Sequence, residues 1–212
     1  PNGCGKTTLL KCAAGLLKPW SGEIRLDGEN YARMEPREVA RRAAYMPQSR
    51  VAPGISVRRL AEHGRYPYLR FGHDLSAEDR RIVSEALRRA GMEDKSASAV
   101  SRLSGGERQR AYIAMMLAQE AGLLLLDEPT TYLDPAAQFM VMELLSALAR
   151  EGRAVAAVLH DLPLAMRYAD RVLLMRGGEV ALDGTPEELF QSGLLDEVFG
   201  IRARKIDDAT FV

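Results

Sequence analysis

Apolar residues along the chain follow two patterns, short continuous runs and longer stretches of helical spacing. The continuous runs predict two buried strands, at 123–126 and 155–159. Shorter strands are predicted at 23–26, 43–46, 172–175 and 179–182, of which the last two form a hairpin. Apolar spacing, capping residues and turn residues predict helices at 7–17, 35–42, 76–90, 106–118, 135–150, 186–191 and 194–199. Because buried strands alternate with helices, the pattern predicts an α/β fold with a mostly parallel sheet flanked by helices.

One long stretch departs from this alternation. Between about residues 49 and 118 the apolar spacing is helical, which predicts a helical lobe inserted into the α/β core. With 212 residues and no repeat or linker, the chain fits a single domain. In that domain we expect 1–48 and 119–212 to form the core and 49–118 to form the helical subdomain.

Composition narrows the class of partners. Lys plus Arg and Asp plus Glu both number 29, so nothing favours a nucleic acid, whose phosphates require a basic surface. The apolar runs are only a few residues long, whereas a membrane-spanning helix needs about 20. Cys4 and Cys12 would be separated by roughly 12 Å of helical rise, too far for a disulfide. Free thiols favour a reducing cytosol.

A glycine-rich segment opens the chain. Pro-Asn-Gly-Cys-Gly-Lys-Thr-Thr at 1–8 matches the last seven of the eight positions of a phosphate-binding loop, the P-loop. Its backbone N–H groups and the following helix would hold phosphates, Lys6 would reach the β- and γ-phosphates, and the Thr7 hydroxyl would hold Mg²⁺. The alternative is a plain glycine-rich turn. The predicted nucleotide-binding residues of this loop are Asn2, Gly3, Cys4, Gly5, Lys6, Thr7 and Thr8.

A pair of carboxylates follows the first buried strand. Leu-Leu-Leu-Leu-Asp-Glu-Pro-Thr at 123–130 brings Asp127 and Glu128 to the carboxyl end of the strand, where α/β sheets bind ligands. Asp127 would hold Mg²⁺, and Glu128 would polarise the water that attacks the γ-phosphate. The alternative is a buried strand that ends in a solvated acidic turn.

A third motif completes a recognisable set. Leu-Ser-Gly-Gly-Glu-Arg-Gln-Arg at 103–110 predicts a capped helix start with exposed N–H groups at Ser104, Gly105 and Gly106, either a second anion site or an ordinary cap. Together the three motifs resemble those of ATP-binding-cassette (ABC) ATPases. The resemblance implies a RecA-like P-loop NTPase core, with the signature motif carried on the helical subdomain. It also implies a head-to-tail dimer of two copies, in which each ATP lies between the P-loop of one copy and the signature of the other.

The resemblance assigns roles to three further residues. Gln48 would contact Mg²⁺ and the attacking water and signal to the membrane subunits. Asp134, with Leu133, would belong to the loop that crosses the dimer interface, and His160 would touch the γ-phosphate. Each also has a plain structural interpretation, as a loop residue, a helix cap and a structural histidine respectively.

Three further segments, less specific than the ATPase motifs, resemble one group of ABC proteins. Residues 64–67, 128–134 and 198–200 resemble those of ATPases from bacterial importers of iron-siderophore, haem or cobalamin. This resemblance implies a peripheral subunit on the cytoplasmic side of the membrane, whose ATP hydrolysis powers import. Its partners would be integral-membrane permease subunits, docked at about 51–74, and a periplasmic or surface substrate-binding protein.

Three alternatives remain within the ABC ATPases. The protein could serve another importer or an exporter, or act as a soluble ATPase in DNA repair or translation. Only about 55 positions without heptads separate Gln48 from Leu103, which argues against the long coiled coil of repair ATPases. A single cassette argues against translation factors, and 96–102 lacks the acidic and glycine pattern of exporters.

The chain starts inside the P-loop pattern, since the leading glycine would precede Pro1. In the family, a β-rich lobe with an adenine-stacking aromatic residue comes before the loop. Stacking contributes about 1–3 kcal/mol per base, so we expect this chain alone to bind ATP weakly and hydrolyse it little. We also expect alkylation of Cys4 to hinder ATP binding, and Cys12 to react slowly.

Overall fold

The computed structural model describes residues 1–48, 52–69, 74–201, 205–207 and 210–211. The helices in this part of the chain are α1 (Lys6–Ala13), α2 (Pro36–Arg42), α3 (Val57–Glu62), α4 (Ala77–Arg89), α5 (Gly105–Ala118), α6 (Pro135–Arg150), α7 (Leu162–Tyr168), α8 (Pro186–Gln191) and α9 (Leu194–Phe199). Short 3₁₀ turns lie at Tyr31–Arg33, His63–Tyr68 and Val100–Arg102. Within these residues no helix is long and apolar enough to span a bilayer.

The strands form several small sheets in the described part of the chain. They are β1 (Arg25–Leu26), β2 (Glu29–Asn30), β3 (Ala43–Met46), β4 (Leu123–Asp127), β5 (Ala154–Val158), β6 (Val172–Arg176), β7 (Glu179–Gly184), β8 (Lys205–Asp207) and β9 (Thr210–Phe211). The central sheet has the order β3-β4-β5, and β3 and β4 run parallel. β6 and β7 form the predicted antiparallel hairpin. The predicted α/β fold with a parallel sheet and flanking helices is confirmed.

The chain divides into two compact units, Pro1–Leu9 with Val158–Val212, and Leu10–Ala157. In the first unit an apolar cluster of Met166, Leu174, Leu189 and Leu195 joins the hairpin to α7 before it and to α8 and α9 after it. In the second unit α3, α4 and α5 pack against one another. The predicted helical character of 49–118 is seen in α3, α4, α5 and the two 3₁₀ turns of this stretch, with non-helical segments between them. Its separation as a subdomain stays a prediction. Residues 49–51 and 70–73, which include parts of the predicted docking segment, lie outside the described residues.

Two predicted elements differ from the structure. Helix α1 ends at Ala13 rather than at residue 17, because Gly15 adopts a positive φ of +71° and closes a Schellman motif. In this motif the Leu16 N–H donates to the Lys11 carbonyl over 2.9 Å, and the Tyr31 hydroxyl donates to the Ala13 carbonyl over 2.7 Å.

Strand β5 was predicted to be buried, and that prediction is wrong for most of the strand. Ala154 and Ala156 are exposed, whereas only Val158 is buried. Exposed Ala154 and Ala156 alternate with the partly buried Val155 and Ala157, so one face of β5 is less covered than the other. The central β4, by contrast, is buried from Leu124 to Asp127.

The turn at Gly64-Arg65 fixes how the helical elements pack. A Cβ built on Gly64 would lie 2.2 Å from the Met115 carbonyl oxygen of α5, so only glycine allows this approach. The buried Arg65 guanidinium donates to Asp79 (2.8 Å), to Glu120 (2.7 Å) and to the Ala118 carbonyl (2.9 Å). The start of α4 and the end of α5 are thereby tied to the same side chain.

We expect Gly64→Ala to destabilise the protein by about 2 kcal/mol or more, because a backbone oxygen cannot rotate away from the added methyl group. Gly54→Ala is the matched control, since a Cβ there would meet nothing within 4 Å. The free energies of unfolding from urea denaturation measure both effects. Equal values for the two variants would contradict the close packing at Gly64.

Candidate nucleotide-binding and catalytic site

The first five residues form a loop that leads directly into α1. Gly3 and Gly5 have positive φ values of +74° and +98°, a backbone conformation that glycine adopts without steric cost. α1 begins at Lys6 and has no acidic residue in its first turn, so its N-terminal N–H groups and positive dipole end face no opposing carboxylate of their own helix. A polyphosphate fits this arrangement of glycine backbone and helix start.

Lys6 lies over the loop that precedes it. Its ammonium donates to the Pro1 carbonyl and lies 3.6 Å from Cys4 Sγ. The Cys4 thiol also donates to the Pro1 carbonyl, over 3.1 Å. An ammonium carries three donors, so Lys6 can bind a phosphate oxygen at this loop as well.

The accessibility of the two cysteines is the reverse of the sequence-based expectation. Both are free thiols, but Cys4 is only 5% exposed while Cys12 on α1 is half-buried. We therefore expect a maleimide to label Cys12 faster than Cys4 in the folded protein. Mass spectrometry of Cys4→Ser and Cys12→Ser variants assigns each rate, and faster labelling at Cys4 would contradict the described loop.

The two predicted carboxylates lie at the carboxyl end of β4. Asp127 is 1% exposed and Glu128 is 9% exposed. The parallel register pairs Tyr45 with Leu125 and Met46 with Leu126, so β3 ends beside β4. Gln48 follows the end of β3 and is exposed, which puts it at the same edge of the sheet as the carboxylates.

The backbone at Glu128 is strained. Its φ is +52°, a left-handed conformation that costs a residue with a side chain roughly 1 kcal/mol. Such strain persists where the surrounding structure determines it, and it clusters at functional sites. The turn after Glu128 therefore matters for where its carboxylate lies.

Tyr45 is a site residue that the sequence interpretation did not assign. Its hydroxyl donates to Asp127 Oδ2 over 3.4 Å. Burial, and then the charge and hydrogen bond of Asp127, raise the pKa of Tyr45 from 10.0 to about 12. A signal was present, because Tyr45 lies one residue before the end of β3 and can reach the end of the neighbouring strand. The pairing of β3 with β4 is needed to interpret it.

We expect the Tyr45 phenol to ionise near pH 12, and its pKa to fall towards 10.0 in Asp127→Asn, although not fully because burial is the largest cause. Since the folded-state pKa is raised, the folded protein holds this proton more tightly, and the stability this confers is lost as the pH rises from 10 to 12. Alkaline absorbance titration, with Tyr45→Phe subtracted, measures the transition. An ordinary pKa in the parent protein would contradict the contact.

The signature motif begins a capped helix, as predicted. Ser104 caps α5 by accepting from the Glu107 N–H (3.3 Å), while the Glu107 carboxylate accepts from the Ser104 N–H (2.9 Å). This backbone hydrogen bond lowers the pKa of Glu107, with further help from Lys95 at 3.3 Å. The cap geometry satisfies the ordinary structural interpretation, and it does not conflict with anion binding at the same helix start.

The signature glycines pack against the turn that follows the carboxylates. A Cβ on Gly105 would lie 3.6 Å from Leu133 Cδ2, and one on Gly106 would lie 3.1 Å from Ala137 Cβ. Asp134 caps α6 by accepting from the Ala137 N–H over 2.9 Å. The structure thus brings the signature and the loop around Asp134 together in one unit.

His160 follows β5 and is exposed. The adjacent Asp161 caps α7 through the Leu164 N–H at 2.9 Å. The unit Pro1–Leu9 with Val158–Val212 contains the P-loop residues and His160. The unit Leu10–Ala157 contains the other predicted site residues, Gln48, Ser104, Gly105, Gly106, Asp127, Glu128 and Asp134.

The donor set suits Mg²⁺ held together with a nucleotide. Among the described residues no group of three or more His, Cys, Asp or Glu side chains could hold a metal by itself. Mg²⁺ in nucleotide sites is bound by one or two carboxylates together with phosphate oxygens, so no such cluster is needed. Asp127, a nearly buried carboxylate at a strand end, fits this requirement.

Comparison with known proteins agrees with these features. The family model described as "ABC transporter" matches residues 1–131. The ferric enterobactin transport ATP-binding protein FepC of Escherichia coli K12 is 44% identical over 210 residues, which cover 98% of this chain and 78% of FepC. The hemin import ATP-binding protein HmuV of Streptomyces coelicolor is 44% identical over 200 residues, which cover 94% of this chain and 71% of HmuV.

Solved structures give the same result. A metal-chelate type ABC transporter in an inward-facing conformation superposes with a TM-score of 0.83 at 27% identity, covering 100% of this chain and 81% of that chain. The ATP-binding cassette MJ0796, solved as a dimer bound to ADP and Pi, gives a TM-score of 0.74 at 28% identity over 88% of this chain and 82% of that chain.

The fold and the phosphate loop define an ATP-binding P-loop ATPase. The chain belongs to the ABC transporter family. The resemblance to the ATPases of siderophore and haem importers, seen in the sequence, is confirmed by these relatives.

Proposed function

We propose that the protein hydrolyses ATP to power the import of a metal chelate, such as an iron-siderophore, haem or cobalamin, through a membrane permease. The observation that carries this proposal is identity of 40–44% over nearly the whole chain to ATP-binding proteins named for enterobactin, hydroxamate and hemin transport. No feature of the described residues favours an exporter, a repair ATPase or a translation factor.

The proposed chemistry is an in-line displacement on the γ-phosphate. Water forms a bond to the γ-phosphorus while the bond to the oxygen bridging the β- and γ-phosphates breaks, which gives ADP and phosphate. Lys6 and the backbone of residues 2–8 bind the phosphates, and His160 contacts the γ-phosphate. Glu128 orients the attacking water and accepts its proton. Bound Mg²⁺ supplies charge neutralisation, and Thr7, Gln48 and Asp127 are the residues that would hold it.

The proposed partners are a second copy of the chain and the permease. In the head-to-tail dimer, Ser104, Gly105 and Gly106 of one copy complete the nucleotide site of the other. Asp134 lies in the loop that crosses this interface. MJ0796, solved as a dimer, supports the association of two copies, and cbiO1, which is named as part of the ABC transporter complex cbiONQ, supports attachment to other subunits. Attachment to permease subunits places the protein at the cytoplasmic face of the membrane, and a substrate-binding protein delivers the chelate.

Reconstitution with its permease in vesicles tests the proposal. With Mg-ATP supplied on the side of the ATPase, we expect accumulation of one of three probes: ferric enterobactin, a ferric hydroxamate or haem. Uptake should stop when ATP is replaced by a non-hydrolysable analogue. ATP turnover that does not respond to the permease or the probes, together with no accumulation of any probe, would contradict the import function. The proposed ATPase activity would not be affected by that result.

A further inference from the structure

The turn after β4 contains a hydrogen bond to the proposed catalytic carboxylate. The Thr131 hydroxyl donates to Glu128 Oε2 over 3.0 Å. The two residues lie three positions apart, across Pro129 and Thr130, and Glu128 has the strained φ of +52°. A hydroxyl donor is therefore aimed at one oxygen of the carboxylate that we propose to orient water.

The backbone that carries Thr131 is held in place by its neighbours. Thr130 is buried, and its carbonyl accepts from the Leu133 N–H and from Gln138 Nε2 of α6, both at 3.3 Å. Asp134 then caps the same helix. Because the turn is anchored to α6, the position of the Thr131 hydroxyl follows from the fold.

The hydrogen bond from Thr131 can orient the Glu128 carboxylate. A glutamate side chain has three rotatable bonds, and fixing them costs up to about 2 kcal/mol of conformational entropy. A hydrogen bond to Oε2 restricts this freedom before any nucleotide binds. Prior orientation of a catalytic group lowers the barrier to reaction.

We propose that Thr131 is a positioning residue for ATP hydrolysis, whose hydroxyl holds the Glu128 carboxylate in the orientation that activates water. This inference rests on the proposed role of Glu128. Thr131 has no proposed contact with the nucleotide, so it affects hydrolysis only through Glu128.

A purely structural role predicts different behaviour. If the hydroxyl only stabilised the turn, its loss would lower the melting temperature and disturb the nearby signature contacts. It would then change the KM for ATP or the stability instead of kcat alone. A fall in kcat without a change in KM therefore indicates positioning of Glu128, whereas a change in KM or stability indicates a structural role.

The test compares Thr131→Val, which keeps the shape but removes the donor, with Thr131→Ser, which keeps the donor. In the protein assembled with its permease, we expect Thr131→Val to lower the kcat for Mg-ATP by about ten-fold, the scale of a hydrogen bond to a charged group. KM and the melting temperature should stay near the parent values, and Thr131→Ser should restore most of the rate. If Thr131→Val fails to fold, Thr131→Ala replaces it.

The variant Glu128→Gln separates failure of this inference from failure of the proposed function. If Thr131 acts through Glu128, the double variant Glu128→Gln/Thr131→Val is no slower than Glu128→Gln alone. Normal kcat in Thr131→Val, equal loss in Thr131→Ser, or an additive loss in the double variant would each overturn the inference. Normal turnover in Glu128→Gln would overturn the proposed role of Glu128 itself.

Discussion

In the protein assembled with its permease, replacing Glu128 with Gln lowers the turnover of Mg-ATP by about a hundred-fold or more, while nucleotide binding persists. Loss of a positioned general base removes a factor of about 10²–10⁴. The amide is neutral and nearly the same size, so the strained turn at Glu128 and the buried end of β4 keep their packing. The loss should therefore fall on kcat.

Phosphate release under saturating Mg-ATP measures turnover, and calorimetric titration measures binding. Glu93→Gln is the matched control, because Glu93 is an exposed glutamate outside the proposed site. We expect that variant to hydrolyse ATP at the parent rate. A rate in Glu128→Gln close to that of the control would remove Glu128 from the mechanism.

The second large effect concerns association of two copies. In the proposed dimer the helix start at Ser104 receives the γ-phosphate bound by the partner. Arg at this position adds a long side chain in front of the N–H groups of α5 and takes away the hydroxyl cap. We expect Ser104→Arg to abolish ATP-driven dimerisation, while one copy still binds ATP through its P-loop.

Loss of a helix cap by itself costs only about 1 kcal/mol, and a second variant measures that cost. Ser76 caps α4 with the same reciprocal arrangement, in which Asp79 takes the part of Glu107. Ser76→Arg therefore repeats the local damage away from the signature. Sedimentation velocity with ATP, in the slow Glu128→Gln background, should show dimers for Ser76→Arg and monomers for Ser104→Arg. Dimers in both variants would contradict the head-to-tail arrangement.

Elements bounded by strong local signals were predictable from the sequence. α6 begins at Pro135 after a capping aspartate and ends at Arg150, as predicted, and β3 has the predicted bounds 43–46. Local chemistry decides these ends, so a single sequence suffices. The exposure of β5 was not predictable in this way, because an apolar run does not tell how many neighbours a strand has.

The residues of the candidate site also divide into those that the local sequence indicates and those that only the fold reveals. Lys6, Asp127, Glu128 and Ser104 could be assigned to the predicted site because their motifs have fixed spacing. Tyr45 and Thr131 were not found, since their importance depends on a strand register and on the shape of a turn. The arginine of residues 64–67 was used only as a family marker, whereas in the structure it is a buried ion-pair centre.

The anchoring of α5 has a mechanical consequence. At its C-terminal end, Gln119 donates to the carbonyls of Ala40 and Ala43, at the junction of α2 and β3. A helix of 14 residues spans roughly 21 Å, so this anchor and the signature lie at opposite ends of one rigid element. A rotation of a few degrees about the anchored end would move Ser104 by about 1 Å. The packing of Gly105 and Gly106 against Leu133 and Ala137 opposes such a rotation, so both ends of α5 together determine the position of the signature.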